Sequence, residues 1–230
     1  RVAELAKTGK PVIALVMCGR PVIFNEIREH ADAVLCTWWL GSEAGNAICN
    51  VLWGEYNPSA KLPMTFPAHV GQIPIYYQNK STGRPTALQQ TYKASYIDAS
   101  TEPAYPFGYG LSYTDFGYSD LKLLPGKAAG VHTEVSVKVT NTGKCAGEEV
   151  VQLYVQDKVA SVTRPIKELK GFRKIHLNAG ESKTVVFQIT DDALGFYDNE
   201  MNYMVEPGDF VFMVGGSSDD VQQITYNLEE

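Results

Sequence analysis

The sequence predicts two structural classes in one chain: part of an open α/β sandwich with a parallel sheet, followed by an all-β sandwich. Over residues 1–75, short apolar runs alternate with helical patterns, whereas in the second half single apolar and polar residues alternate. The charge changes near the same point, since residues 1–115 contain nine basic and nine acidic residues and residues 116–230 contain eleven and seventeen. We therefore expect an α/β portion over residues 1–75, an aromatic-rich extended connector over residues 76–115 and a β-sandwich over residues 116–230.

Composition excludes several classes of protein. The 230 residues are 44% hydrophobic and 20% charged, with a net charge of -6 and a mean hydropathy of -0.16. These values are typical of a folded globular chain, and no apolar run approaches the ~20 residues of a membrane-spanning helix. Binding to nucleic acid or to anionic lipid requires clustered Lys and Arg, which a net negative chain does not favour. We expect neither a nucleic acid nor a membrane as partner.

The first 70 residues read as strand, helix, strand, helix. The apolar runs at residues 12–17 and 33–38 contain β-branched residues and predict strands buried on both faces. Helical patterns follow at residues 23–30 and 43–52, and Ser42 is the predicted N-cap of the second helix. This alternation predicts parallel strands joined by right-handed crossovers. Two such strands are too few to cover themselves, so we expect the chain to be a piece of a longer protein with more strands upstream.

The connector is rich in proline and tyrosine. Seven prolines between residues 57 and 113 disfavour long helices there, and eight of the thirteen tyrosines lie between Tyr76 and Tyr118. So many aromatic rings are not expected in a disordered linker. The rings either pack between two domains or contact a substrate, and we favour packing.

The second half shows the alternation of strands that have one buried and one solvent-facing side. Apolar residues occupy every second position in three stretches: Val135, Val137 and Val139; Val151, Leu153 and Val155; Val185, Phe187 and Ile189. Turn signals separate these stretches at the spacing of a β-sandwich. About seven strands in ~110 residues predict an immunoglobulin-like or fibronectin type III-like sandwich.

Candidate functional residues lie after the second apolar run. Ligands of open α/β sheets gather at the carboxyl ends of parallel strands, where this sequence places Trp38, Trp39 and Glu43. An exposed indole there could stack on a sugar, whereas a buried one would only pack; Glu43 could act as a catalytic carboxylate or could complement the helix dipole. For Glu43 and for at least one tryptophan we favour the structural role. The four histidines lack metal-ligand spacing, so the sequence predicts neither a metal site nor a cofactor.

A set of longer motifs spans nearly the whole chain. They are Lys10-Pro11-Val12-Ile13, Gly19-Arg20-Pro21, residues 39–48 (WLGSEAGNAI), residues 54–67 (GEYNPSAKLPMTFP), residues 105–114 (YPFGYGLSYT), Arg164-Pro165 and residues 167–172 (KELKGF). Together they resemble the C-terminal half of glycoside hydrolase family 3. Within that family, residues 71–77 and 79–85 are most similar to bacterial periplasmic β-glucosidases.

The resemblance implies a retaining exo-glycosidase that releases terminal β-D-glucosyl residues from a β-glucoside or oligosaccharide substrate. In such enzymes an Asp nucleophile on an N-terminal barrel and a Glu acid/base lie ~5–5.5 Å apart. The resemblance places both before Arg1, so no catalytic residue is named in this chain. It therefore implies an active full-length protein, an inactive fragment, a missing barrel domain as partner, and a periplasmic or secreted location.

Two alternatives remain open at this stage. The parent protein could act on β-xylosides, because the sugar preference depends largely on the barrel. The sandwich could also be a non-catalytic carbohydrate-binding or scaffolding module. Its only candidate surface aromatics for sugar binding are tyrosines, which favours scaffolding: Tyr118, Tyr154, Tyr197, Tyr203 and Tyr226.

Overall fold

The structure, a computed structural model, describes residues 1–83 and 95–229. Its first part contains three helices and two strands: α1 (Val2–Ala6), β1 (Ile13–Val16), α2 (Asn25–His30), β2 (Ala33–Cys36) and α3 (Ala44–Leu52), with 3-10 turns at Gly41–Glu43 and Val70–Gln72. The two strands pair in parallel, with Ile13 opposite Ala33 and Val16 opposite Cys36. The predicted strand–helix alternation and parallel pairing are therefore confirmed. The predicted burial of both strand faces is wrong for β1 within the described residues, where Ile13 and Leu15 are 51% and 42% exposed. Among the described residues, no helix is long and apolar enough to span a membrane.

The start of α3 differs from the prediction. Ser42 was expected to cap this helix, but it lies inside the 3-10 turn that precedes α3 and forms no capping side-chain hydrogen bond. Gly41 has a φ of 71° and redirects the chain into that turn, so the N-cap position of α3 falls on Glu43. The Ser42 prediction is wrong because the 3-10 turn shifts the helix start.

The second part is a sandwich of two antiparallel sheets. Its long strands are β3 (Phe116–Pro125), β4 (Val131–Asn141), β5 (Gly147–Asp157), β6 (Glu168–Leu177), β7 (Ser182–Thr190), β10 (Gly208–Gly215) and β11 (Val221–Leu228). A short helix α4 (Asp191–Leu194) and a two-residue hairpin, β8 (Phe196–Tyr197) with β9 (Tyr203–Met204), follow β7. The sheet orders are β11-β10-β5-β6 and β3-β4-β7. Seven long strands in two layers agree with the predicted sandwich.

The core lies between these two sheets. It combines alternate residues of β4, β5, β7 and β10, all buried: Val135, Val137, Val139, Val151, Leu153, Val155, Val185, Phe187, Ile189, Phe210, Phe212 and Val214. For β4, β5 and β7 these are the positions that the sequence alternation marked as apolar. Burial of this set accounts for the stability of the sandwich.

Two strands depart from the expectation of a solvent-facing side. On β4, Glu134 and Ser136 are 4% and 2% exposed. On β5, Gln152 and Tyr154 point away from the core, yet they are 3% and 0% exposed. Tyr77 and Phe107 of the connector pack against Tyr154, and Gln152 donates to the Gly108 carbonyl of the connector. The expectation is wrong for β5 because the covering residues lie far away in the sequence, where strand alternation carries no information about them.

The connector lies against the sandwich. Within its described residues it forms no helix or strand, only the isolated bridges Phe66–Tyr105 and Lys80–Pro165. Residues 84–94, which include Pro85 and Tyr92 of the predicted connector, lie outside the described residues. The three-part division at residues 75 and 115 remains our proposal.

Candidate functional site

The candidate site lies where β1 and β2 end. The Thr37 amide donates to the Val16 carbonyl at 3.0 Å, which continues the parallel pairing one residue past β2. Thr37 is 4% exposed. The following residues, Trp38 to Glu43, therefore leave the sheet from a fixed point at its carboxyl edge.

Trp38 has a packing role. Its φ of 51° places it in the left-handed region, which is strained for a residue with a side chain. The half-buried indole packs edge-on against Phe66 at 5.8 Å between ring centroids, and Phe66 is 1% exposed. This contact stabilises the left-handed backbone at Trp38, where the chain turns before Trp39.

Trp39 is placed differently. Its side chain is 83% exposed at the carboxyl edge of the sheet. A Cβ at Gly19 would lie 3.1 Å from the Trp39 ring, so the glycine after β1 leaves room for the indole. The structure thus separates the two tryptophans into one that packs and one that presents its ring to solvent.

Glu43 is exposed at the start of α3. One of its carboxylate oxygens accepts a hydrogen bond from the Asn46 side chain at 2.7 Å, and its position at the helix N-terminus favours a negative charge. This geometry fits the helix-stabilising role that we favoured for Glu43.

The Cys36 thiol, at the end of β2, is not activated as a nucleophile. Burial and the neighbouring Cys18 raise the pKa of the Cys36 thiol to about 11, so Cys36 is protonated at neutral pH and is a poor nucleophile. Among the described residues, no group of three or more His, Cys, Asp or Glu side chains could hold a metal ion.

The most extensive polar contacts lie elsewhere, between the segment Tyr56–Lys61 and the start of β5. The Asn57 amide donates to the Ala146 carbonyl at 2.9 Å, and the Ser59 hydroxyl donates to Glu148 at 3.1 Å. Lys61 pairs with Glu149 at 3.1 Å. We call this segment with its β5 partners the polar seam.

The Lys61–Glu149 pair is buried, with side-chain exposures of 14% and 6%. The Tyr118 hydroxyl donates to the second Glu149 oxygen at 2.8 Å, and Lys61 also donates to the Gly110 carbonyl at 3.2 Å. Burial, followed by the Glu149 charge, raises the pKa of Tyr118, which keeps this hydroxyl a donor. The cluster satisfies a buried carboxylate from both parts of the chain.

A second, aromatic seam covers the outer face of β5. The rings of Tyr77 and Phe107 stack at 4.2 Å, and both meet Tyr154 edge-on at 5.8 and 6.4 Å. The Gln152 amide donates to the carbonyls of Gly108 and Gly216 at 3.1 and 2.7 Å. The aromatic connector therefore packs onto the sandwich at this seam.

Sequence reasoning missed the polar seam, although a signal was present, and it favoured packing for the connector rings without naming their partners on β5. Ser59 and Lys61 lie in the proline-containing motif of residues 54–67, and Phe107 and Gly108 lie in the motif of residues 105–114. Polar residues in a non-helical, motif-bearing segment indicate a docking function, but their partners on β5 could not be read from the sequence.

The tyrosines of the sandwich do not form a line of exposed rings. Tyr154 is buried, and Tyr118 and Tyr226 pack against the core. Tyr197 and Tyr203 are 58% and 46% exposed and meet edge-on at 5.2 Å. A flat sugar-stacking surface is not built from these five residues.

Two family models match the chain. The glycosyl hydrolase family 3 C-terminal domain matches residues 1–113, and the fibronectin type III-like domain matches residues 149–218. The first match includes the strand ends and Tyr56–Lys61; the second includes most of β5.

Curated relatives match almost the full chain. It is 48% identical to a periplasmic beta-glucosidase of Salmonella typhimurium over 99% of its length and 45% identical to a beta-xylosidase of Formosa agariphila over 99%. The crystal structure of the beta-glucosidase from Listeria innocua in complex with glucose superimposes with a TM-score of 0.93 and 41% identity over 100% of the chain. The chain spans only 30%, 31% and 32% of these three proteins.

Proposed function

The chain belongs to glycosyl hydrolase family 3, and from this membership we propose that it is the C-terminal part of a retaining exo-β-glucosidase. The observation that carries the proposal is the 48% identity to a periplasmic beta-glucosidase over 99% of the chain. We propose that the longer protein releases terminal β-D-glucose in the periplasm or outside the cell. The nucleophile and the acid/base then lie in the remaining sequence, for which the relatives leave about two thirds of their length.

The role of this chain in that protein is structural support of the sugar-binding edge. The polar seam fixes the sandwich to the α/β part through contacts such as the buried Lys61–Glu149 pair, and the aromatic seam fixes it to the connector through contacts such as Tyr77–Tyr154. A fixed scaffold holds catalytic groups of neighbouring segments within the narrow distances that glycoside hydrolysis requires.

The proposal is tested by hydrolysis of an aryl β-glucoside by the full-length protein beside the 230-residue chain. We expect turnover by the full-length protein and none by the chain. Turnover by the isolated chain would contradict the placement of the catalysts, and an inert full-length protein would contradict the activity.

A β-xyloside-hydrolysing parent is the second candidate, because a beta-xylosidase is 45% identical over 99% of the chain. The same assay with the aryl β-xyloside decides between the two sugars. A higher kcat/KM for the xyloside would replace the glucoside proposal.

Within this function we propose that Trp39 contacts the substrate. Its exposed indole at the sheet edge offers an apolar face on which a pyranose ring can stack, unlike the packed Trp38. In the full-length protein Trp39→Ala should raise KM about tenfold, because a stacked ring contributes roughly 1–2 kcal/mol, whereas Trp39→Phe should retain most of the affinity.

Trp53 supplies the matched control, since it is 77% exposed but follows α3 at the opposite end of that helix. Trp53→Ala should leave KM unchanged. An unchanged KM in Trp39→Ala, or an equal effect of both substitutions, would contradict a substrate contact at Trp39.

A further inference from the structure

A cleft opens along one side of the sandwich, between the outer edges of β6 and β7. Each of these strands is the last in its sheet. The cleft has a volume of about 550 Å³, within the range of small-ligand sites. Leu153, Phe187 and Ala193 form its floor, and charged residues of β6 and of the β3–β4 region form its rim.

The rim is cationic. Lys127, Lys170 and Arg173 line the cleft, and Glu134 is the one carboxylate among the lining residues. Lys127 approaches Glu134 at 3.6 Å. Residues 116–230 contain eleven basic and seventeen acidic residues and so have a net negative charge, whereas the lining of the cleft has a net positive charge.

The other two cations are held by contacts with β6 and β7. The Arg173 guanidinium lies 5.9 Å from the Phe187 ring centroid and donates to the Phe172 carbonyl at 3.1 Å. Lys170 lies 3.9 Å from Glu168, at the outer limit of an ion pair. Both side chains therefore keep hydrogen-bond donors for a further acceptor.

The backbone of β6 shapes the opening. Gly171 pairs with Leu153 and Leu169 with Tyr154, which leaves Lys170 as the extra residue of a β-bulge. A Cβ at Gly171 would lie 3.1 Å from the Phe187 ring, so the glycine keeps the floor of the cleft open.

We propose that this cleft binds the carboxylate group of an acidic oligosaccharide, such as a uronic acid unit. The guanidinium of Arg173 suits a planar carboxylate, and Lys170 and Lys127 add positive charge at the rim. The choice of a sugar as carrier rests on the proposed function. The site lies on the sandwich.

Calorimetric titration of the 230-residue chain with an oligogalacturonate and with a neutral cello-oligosaccharide of equal length tests the proposal. We expect the acidic sugar to bind and the neutral one not to. Arg173→Gln and Lys170→Gln should each weaken binding roughly tenfold, about the effect of one charge-assisted hydrogen bond. Lys144 is an exposed lysine in the β4–β5 turn, and Lys144→Gln is the control, which should bind like the unsubstituted 230-residue chain.

Other outcomes overturn the proposal. They are equal binding of both sugars, an equal loss in Lys144→Gln, and binding by the chain but not by the full-length protein. Displacement of the oligogalacturonate by inorganic sulfate at equal concentration would show that the cleft attracts anions in general and does not recognise an acidic sugar. No binding, with increased self-association of Arg173→Gln by light scattering, would show that these charges only protect free strand edges. None of these results bears on aryl glucoside hydrolysis, so the two proposals fail independently.

Discussion

At the residue scale, two adjacent carboxylates on β5 show how burial decides the value of an ion pair. Glu148 pairs with Lys174 at 2.7 Å, and the two side chains are 34% and 46% exposed. Glu149 pairs with Lys61 at 3.1 Å, with far lower exposure. Removal of one partner from a buried pair leaves the other charge without compensation, whereas an exposed charge is solvated by water.

Glu149→Gln should therefore lower the free energy of unfolding by about 3 kcal/mol, since the Lys61 ammonium would stay buried beside a neutral amide. Urea denaturation of the 230-residue chain measures this loss. The neighbouring substitution Glu148→Gln is the matched control and should cost about 0.5 kcal/mol. Equal losses in the two variants would contradict the buried cluster.

At the element scale, β5 joins the sandwich core to the connector, because its two faces contact different partners. Val151, Leu153 and Val155 face the sandwich core, and Gln152 and Tyr154 face the connector. A central strand with two covered faces transmits any change at the connector into the core packing.

Tyr154→Ala should cost about 3–4 kcal/mol, because it removes a fully buried ring from contact with Tyr77 and Phe107. Tyr154→Phe keeps the ring and loses only the hydrogen bond to Gln152, about 1 kcal/mol. Thermal unfolding compares both with Tyr197→Ala, an exposed tyrosine that should change stability by less than about 0.5 kcal/mol. An alanine effect at residue 154 no larger than that at 197 would contradict the aromatic seam.

The elements that the sequence predicted well are those whose signals are local. Residues 12–17 and 33–38 carry the apolar runs that became β1 and β2, and the valines of β4 alternate as they pack. Ser42 was misread because a 3-10 turn displaced the helix start. The outer face of β5 was misread because its cover, Phe107, is distant in sequence.

The candidate site was predictable in position but not in detail. Parallel strand order places Trp38, Trp39 and Glu43 at one sheet edge, as expected. Which indole packs depends on the left-handed backbone at Trp38 and on Phe66, and neither is visible in the strand pattern.

At the scale of the whole molecule, the two seams make the α/β part and the sandwich interdependent. The α/β part has few buried apolar side chains of its own among the described residues, chiefly Val16 and Phe66, whereas the sandwich has a large core. We expect the chain to unfold in one transition, because the seams couple its parts. Tryptophan fluorescence follows the α/β part, which contains all three tryptophans, and circular dichroism follows mainly the strands of the sandwich. Two separated transitions would contradict the coupling.

We propose that the chain supports a retaining glucosidase whose catalytic carboxylates lie outside it. The most direct test treats the full-length protein with a 2-deoxy-2-fluoro β-glucoside that traps the covalent glycosyl–enzyme intermediate, and locates the labelled peptide by mass spectrometry. We predict a label on an Asp outside these 230 residues. A label on a carboxylate within the chain, or steady hydrolysis without any label, would contradict this placement of the catalysts.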